Sequence, residues 1–201
     1  MVDKKQKMEQ ESSMDKENLI FLILEHLREA MSYLPAGMIC GGVSAAGYVG
    51  VALAWGRGRK QSQGGSGLVR KGWLVFLSTT YVAVVLLLAF FSREPGSRTG
   101  VDLQLFATWG ESAEAHAYVI ENVLMLIPFG MLFPCLFRPL RKGWICTGVG
   151  CGLSVTLEFA QWLTQRGHCQ LDDEVTNTLG AWIGWLIFRR LARRRPDIFL
   201  K

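Results

Sequence analysis

The chain has 201 residues, half of them hydrophobic, with 22 basic and 17 acidic side chains and a net charge of +5. Its apolar residues fall in runs of about twenty, the length of helix that crosses a hydrocarbon core ~30 Å thick, which argues against a soluble all-α bundle. The basic residues sit in the short segments between those runs, so the positive balance points to anionic headgroups and not to nucleic acid.

Residues 1–17 are polar and highly charged and read as a disordered tail. They lack the apolar core and small-residue cleavage site of a signal peptide. Asn18–Met31 places Leu19–Leu24 before Glu25, His26, Arg28 and Glu29. That pattern predicts an amphipathic interfacial helix stopped at Pro35, with a longer first span or a sixth span as the alternatives. The spans themselves read as Tyr33–Trp55, Trp73–Ser92, Tyr118–Phe137, Trp144–Leu163 and Val175–Leu191. Gly41, Gly42, Gly47 and Gly50 crowd the first, where small residues let helices approach closely. Gln61–Gly67 is a Gly/Ser-rich linker. Leu74–Phe91 contains no charged side chain. Pro128 should kink the third span or free a carbonyl at mid-depth. Gly180 and Gly184 form a small-xxx-small pattern, read as packing within the chain over a dimer seam. Trp55, Trp73, Trp144 and Trp162 lie near span ends as interfacial anchors. The expected fold is therefore an all-α, polytopic bundle of about five transmembrane helices plus an N-terminal interfacial helix. Its units are 1–32 (tail and interfacial helix), 33–72 (first span and basic loop), 73–191 (the main transmembrane domain) and 192–201 (a basic tail).

Charge then orients the spans. The first loop, the third loop and the C-terminal tail together hold fourteen of the 22 basic residues and one acid, Asp197. All three lie on one side of a five-span bundle, and the positive-inside rule makes that side cytoplasmic. The N-terminus, the 93–117 loop and the 164–174 loop then lie outside.

With that orientation, the strongly polar residues of the last three spans share one layer near the outer leaflet. Glu121 and Asn122 enter with the third span. Ser154, Glu158 and Gln161 occupy one face of the fourth, since residues three or four apart on a helix are neighbours. Arg166 follows it, and Asp172, Asp173 and Asn177 open the fifth. Bland explanations compete at each position. Asp172 or Asp173 can cap a helix, Glu121 can be solvated at the interface, and Asn122, Gln161 and Asn177 can hydrogen-bond between helices. Glu158 resists that treatment. It lies about five residues inside its span, where a charge costs at least ~2.5 kcal/mol and must be protonated, paired or beside water. Arg166 is the nearest cation in sequence. The five cysteines are scattered and unpaired in spacing, so neither a disulfide framework nor a zinc site is expected. His168, Cys169 and Asp172 match no zinc spacing, and no metal or cofactor is expected.

The combination of Glu121-Asn122 with Ile127-Pro-Phe-Gly130, Ser154, Glu158-Phe-Ala-Gln161, Arg166-Gly, Asp172-Asp173 and Asn177-Thr-Leu-Gly180 with Gly184 resembles the VanZ-like membrane proteins. The resemblance covers roughly residues 73–190, four of the five spans. It implies a cell-envelope protein linked to low-level teicoplanin resistance in Gram-positive bacteria, and it supplies no reaction. Gln170 departs from the acid carried there by many relatives, which weighs against a metal.

An outward pocket lined by Glu121, Asn122, Ser154, Glu158, Gln161, Arg166, Asp172, Asp173 and Asn177 would suit an amphiphile: a membrane lipid, a lipid-linked wall precursor or an inserted glycopeptide antibiotic. Its acidic balance favours a sugar, an amine or a cation-bridged phosphate over a bare phosphate. Two alternatives stand beside this expectation. One is a membrane enzyme with Glu158 as general acid or base, for which the chain offers no Ser–His pair, HExxH motif or nucleotide loop. The other is an accessory subunit or small transporter, although the chain shows none of the inverted repeats usual in carriers.

Overall fold

The computed structural model describes residues 2–57, 65–92, 94, 96, 101–102, 112–167 and 169–199, with side chains from Lys16 onward apart from a few positions beside the omitted segments. The order of elements is α1 (Val2–Ser32), α2 (Leu34–Arg57), α3 (Gly65–Phe91), β1 (Val101–Asp102), α4 (Ala113–Leu136), a 3-10 turn at Arg138–Arg141, α5 (Gly143–Leu163), β2 (Cys169–Gln170), α6 (Leu171–Arg194) and a short α7 (Pro196–Phe199). The two-residue strands pair in parallel, Val101 with Cys169 and Asp102 with Gln170. Everything else of regular structure among the described residues is helical, so the all-α class holds.

The polar N-terminal stretch differs from its expectation. It is the first half of one continuous helix, α1. Lys, Gln, Glu and Met dominate it and neither Gly nor Pro occurs, so backbone propensity favours a helix even without an apolar face. The helix breaks at Tyr33, immediately before Leu34-Pro35. Pro35 has no N–H to continue the ladder of α1, but it is tolerated in the first turn of α2. The Gly/Ser-rich linker falls largely outside the described residues, and α3 begins at Gly65, earlier than the span Trp73–Ser92.

Among the described residues, four helices are long and apolar enough to cross a membrane, within Leu34–Trp55, Gly67–Phe91, Ala113–Leu136 and Gly143–Leu163. The remaining expected span lies inside α6, whose 24 residues open on Asp172, Asp173 and Glu174 and close on Arg193 and Arg194. Those ends lower its mean hydropathy, and protein covers much of the rest. Its most extensive packing is against α4, then α5. A helix flanked on two sides by protein needs less apolar surface than one facing lipid all round.

The α4–α6 contact is backbone on backbone. A Cβ on Gly180 would fall on the Val123 carbonyl, one on Gly184 on the Ile127 carbonyl, and one on Gly130 would meet the Trp185 amide at 2.7 Å. Position numbers rise together along both helices, so α4 and α6 run parallel. α5 runs against them, with Gly150 facing Ala181 and Gly143 facing the Trp185 ring. Gly180 and Gly184 thus serve packing within the chain. In α2 only Gly37 and Gly41 approach α3 closely, while Gly42, Gly47 and Gly50 meet nothing within 4 Å. The close approach expected at these last three is therefore absent, because they lie on faces turned away from α3.

Leu126, Phe129, Leu140, Cys146 and Ala181 form the core, with Tyr81, Phe133, Ile145 and Trp185 packed around it. Pro128 and Pro134 sit inside α4, which continues through both. The Tyr81 hydroxyl donates to the Met125 carbonyl at 2.9 Å, beside the Leu124 carbonyl that Pro128 leaves without its donor. Tyr81→Phe should therefore cost about 1 kcal/mol, the net value of one such bond, in detergent unfolding. Wild-type stability in that variant would show the bond contributes nothing.

Candidate functional site at the polar end of the bundle

The polar layer forms where α3 and α5 end and α4 and α6 begin. Its buried members are Ser154, Glu158, Gln161, Asp172, Thr176 and Asn177. Each is placed by helical spacing. Ser154, Glu158 and Gln161 follow one another along the inward face of α5, above the small Gly150. Asp173 and Asn177 lie one turn apart on α6, above Gly180 and Gly184.

Three contacts tie the helices together here. Asn122 donates to the Asp173 carboxylate at 2.6 Å, joining α4 to α6. Asn177 donates to the Ser154 hydroxyl at 2.9 Å, joining α6 to α5. Gln161 donates to the Ala89 carbonyl at 3.2 Å, joining α5 to the last turn of α3. That last bond satisfies one of the four carbonyls a helix leaves open at its C-terminus.

The Glu158 carboxylate accepts from the Gln170 backbone N–H at 3.4 Å. Gln170 is the N-cap of α6 and supplies no side-chain cap of its own. Glu158, only 5% exposed, therefore brings a carboxylate to the positive end of a neighbouring helix, where a negative charge is stabilised. Thr176, 2% exposed, donates to the Asp172 and Asp173 carbonyls and closes the first turn of α6 from within. Sequence reasoning passed over Thr176, although its place four residues after Asp172 was a usable signal. It could not see the Gln170 amide or the Ala89 carbonyl, which are backbone groups brought in by the fold.

Two expected site residues have partners from other helices. Glu121 pairs with His26 of α1, and His26 stacks on Tyr118 with ring centroids 6.1 Å apart. The Arg166 guanidinium lies over the Phe91 ring, 5.7 Å from its centroid. It is a cation beside the negative C-terminal end of α3. The contact of α1 with the site was not foreseen. Its trace in the sequence is His26, a polar residue two positions after the apolar run of residues 19–24.

Among the described residues, the Asn177 Oδ1 has no hydrogen-bond partner, and neither do the hydroxyls of Ser78, Thr80, Thr147 and Thr178; it is the amide oxygen of this set and lies in the polar layer, on a residue 1% exposed. Buried amide oxygens are nearly always satisfied by protein, water or ligand. His168 lies outside the described residues, as does the Cys169 side chain. Among the described residues no three His, Cys, Asp or Glu side chains gather as metal ligands.

The Ser154–Asn177 bridge predicts energetic coupling. In a double-mutant cycle, Ser154→Ala and Asn177→Ala should show about 0.6–1.7 kcal/mol of interaction, the range for polar pairs between membrane helices. Additive losses would mean the bridge is not a stabilising contact.

A bundle of long apolar helices, its buried polar groups collected at one end, is a polytopic helical membrane protein. The VanZ/LLP1 family model matches residues 73–193, from α3 to the last turn of α6. That match covers more than half of the chain, which belongs to the VanZ-like family. No curated protein and no solved structure matches the chain.

Proposed function

We propose that this VanZ-like protein lies in the cell membrane with its polar end outward and its basic end cytoplasmic, and that the polar end receives the head of an amphiphile. The unsatisfied Asn177 Oδ1, one turn below Glu158 and bridged to Ser154, carries this reading. It is a buried acceptor, so a hydroxyl or amine donor gains most there. The buried Glu158 and Asp172 favour the same ligands, sugars and amines, and disfavour a bare phosphate. Lipid-linked wall precursors, glycolipids and inserted lipoglycopeptides combine such heads with acyl chains that fit between helices. Holding one of them at the outer leaflet would lower the effect of a glycopeptide such as teicoplanin, without a chemical step.

The test is mass spectrometry of amphiphiles that copurify with the protein, comparing wild type with Asn177→Leu, a substitution of similar volume that removes the acceptor. Losing one hydrogen bond to the ligand should lower occupancy about tenfold while membrane levels stay comparable. Undiminished occupancy in Asn177→Leu would end this reading of the polar layer.

A further inference from the structure

The opposite end of the bundle carries a different chemistry, independent of the polar layer. The geometry points to a headgroup site formed by Arg141 and Arg189 around Trp185, which binds the phosphate of an anionic phospholipid.

Three contacts build it. The Arg141 Nε donates to the Pro134 carbonyl at 3.2 Å, in the last turn of α4. The Trp185 indole donates to the Arg141 carbonyl at 3.0 Å. The Arg189 guanidinium lies over the Trp185 ring, 5.3 Å from its centroid. Both guanidinium groups are therefore held in place before any ligand arrives, which reduces the side-chain entropy lost on binding. Arg141 is anchored through Nε alone, and its two terminal nitrogens make no hydrogen bond among the described residues. Their geometry matches two oxygens of a phosphate.

Among the described residues, no ion pair includes Arg141 or Arg189. Arg138 and Lys142 are exposed beside them. α5 starts at this point with no acidic residue in its first turn and no side-chain cap, which adds to the positive potential. The apolar surroundings select a lipid over a soluble anion. Phe137 and Trp144 flank the basic residues and are 53% and 76% exposed, as interfacial aromatics are.

The ordinary excess of positive charge at one end of a membrane protein would treat every arginine alike. This site does not. Arg193 and Arg194 are exposed on the last turn of α6, and neither is anchored as Arg141 and Arg189 are.

The experiment titrates the purified full chain in neutral detergent with short-chain phosphatidylglycerol, phosphatidylcholine or inorganic phosphate, reading occupancy by native mass spectrometry. Wild type should prefer phosphatidylglycerol to phosphatidylcholine by about tenfold or more, and millimolar inorganic phosphate should not displace it. Arg141→Gln and Arg189→Gln should each weaken phosphatidylglycerol binding by about tenfold, while Arg193→Gln changes it less than about twofold. Equal losses in all three variants, or displacement by inorganic phosphate, would overturn the proposal. Should Arg141→Gln fail to fold because the Pro134 carbonyl loses its donor, Arg189→Gln carries the same prediction, since no hydrogen bond or ion pair of Arg189 is found among the described residues beside its contact with the Trp185 ring.

Discussion

Gly180→Leu is expected to cost more than about 3 kcal/mol, beyond the usual 1–3 kcal/mol of overpacking, and to empty the membrane of folded protein. The reason is the kind of atom that stands in the way. The first carbon of any side chain at position 180 would fall on the Val123 carbonyl, and the next atoms within reach are the carbonyl carbon and Cα of the same residue. No rotamer change relieves a clash with backbone, so α4 and α6 would have to part along the seam that Gly130, Gly180 and Gly184 share. In lipid that separation is not opposed by a hydrophobic effect, since acyl chains are as apolar as the helix surfaces. Close van der Waals packing and interhelical hydrogen bonds hold the pair. Parting the helices would also strain the Asn122–Asp173 bond at one end of the seam. Gly42→Ala is the contrasting case. Nothing lies within 4 Å of its Cβ, so that variant should be neutral or about 0.5–1 kcal/mol more stable through helix propensity. Unfolding midpoints in mixed detergent micelles separate the two, and a wild-type midpoint for Gly180→Leu would refute the packing argument.

The helices were readable because their signal is local. A run of apolar residues of the right length declares a span whatever its neighbours do, and Pro35 marks an end by its own backbone chemistry. The gathering of polar residues at one end was also readable, since alternating direction follows from counting spans. Pairings were a different matter. Glu158 and Arg166 are eight residues apart and look like partners in the sequence, yet Arg166 lies over Phe91 and Glu158 reaches the Gln170 amide. Glu121 pairs with His26 of α1, a partner 95 residues away that no local pattern announces. The polar N-terminal stretch misled for the reverse reason. Its charge-rich composition resembles that of a disordered segment, while the absence of Gly and Pro favours α1.

The fate of Glu158 separates structure from ligand chemistry, and two substitutions do it. Glu158→Ala removes the acceptor at the start of α6 and should cost about 2–3 kcal/mol, combining a buried amide left without its partner with a lost negative charge at a helix N-terminus. Glu158→Gln keeps a carbonyl oxygen of the same reach and loses only the charge, so about 0.5–1 kcal/mol is expected. If the carboxylate serves the fold alone, the glutamine variant should bind the amphiphile as wild type does once it is folded. If the charge also faces the ligand, the glutamine variant should fold and yet lose about tenfold in occupancy, with a ligand amine or a hydrogen-bonded sugar hydroxyl supplying the difference. The second outcome is the one expected here. A helix N-terminus is served nearly as well by a neutral acceptor, and a buried carboxylate is costly to keep for that purpose alone. An alanine variant with wild-type stability would remove the capping role. A glutamine variant with wild-type occupancy would confine Glu158 to the scaffold and leave Asn177 as the residue that meets the ligand.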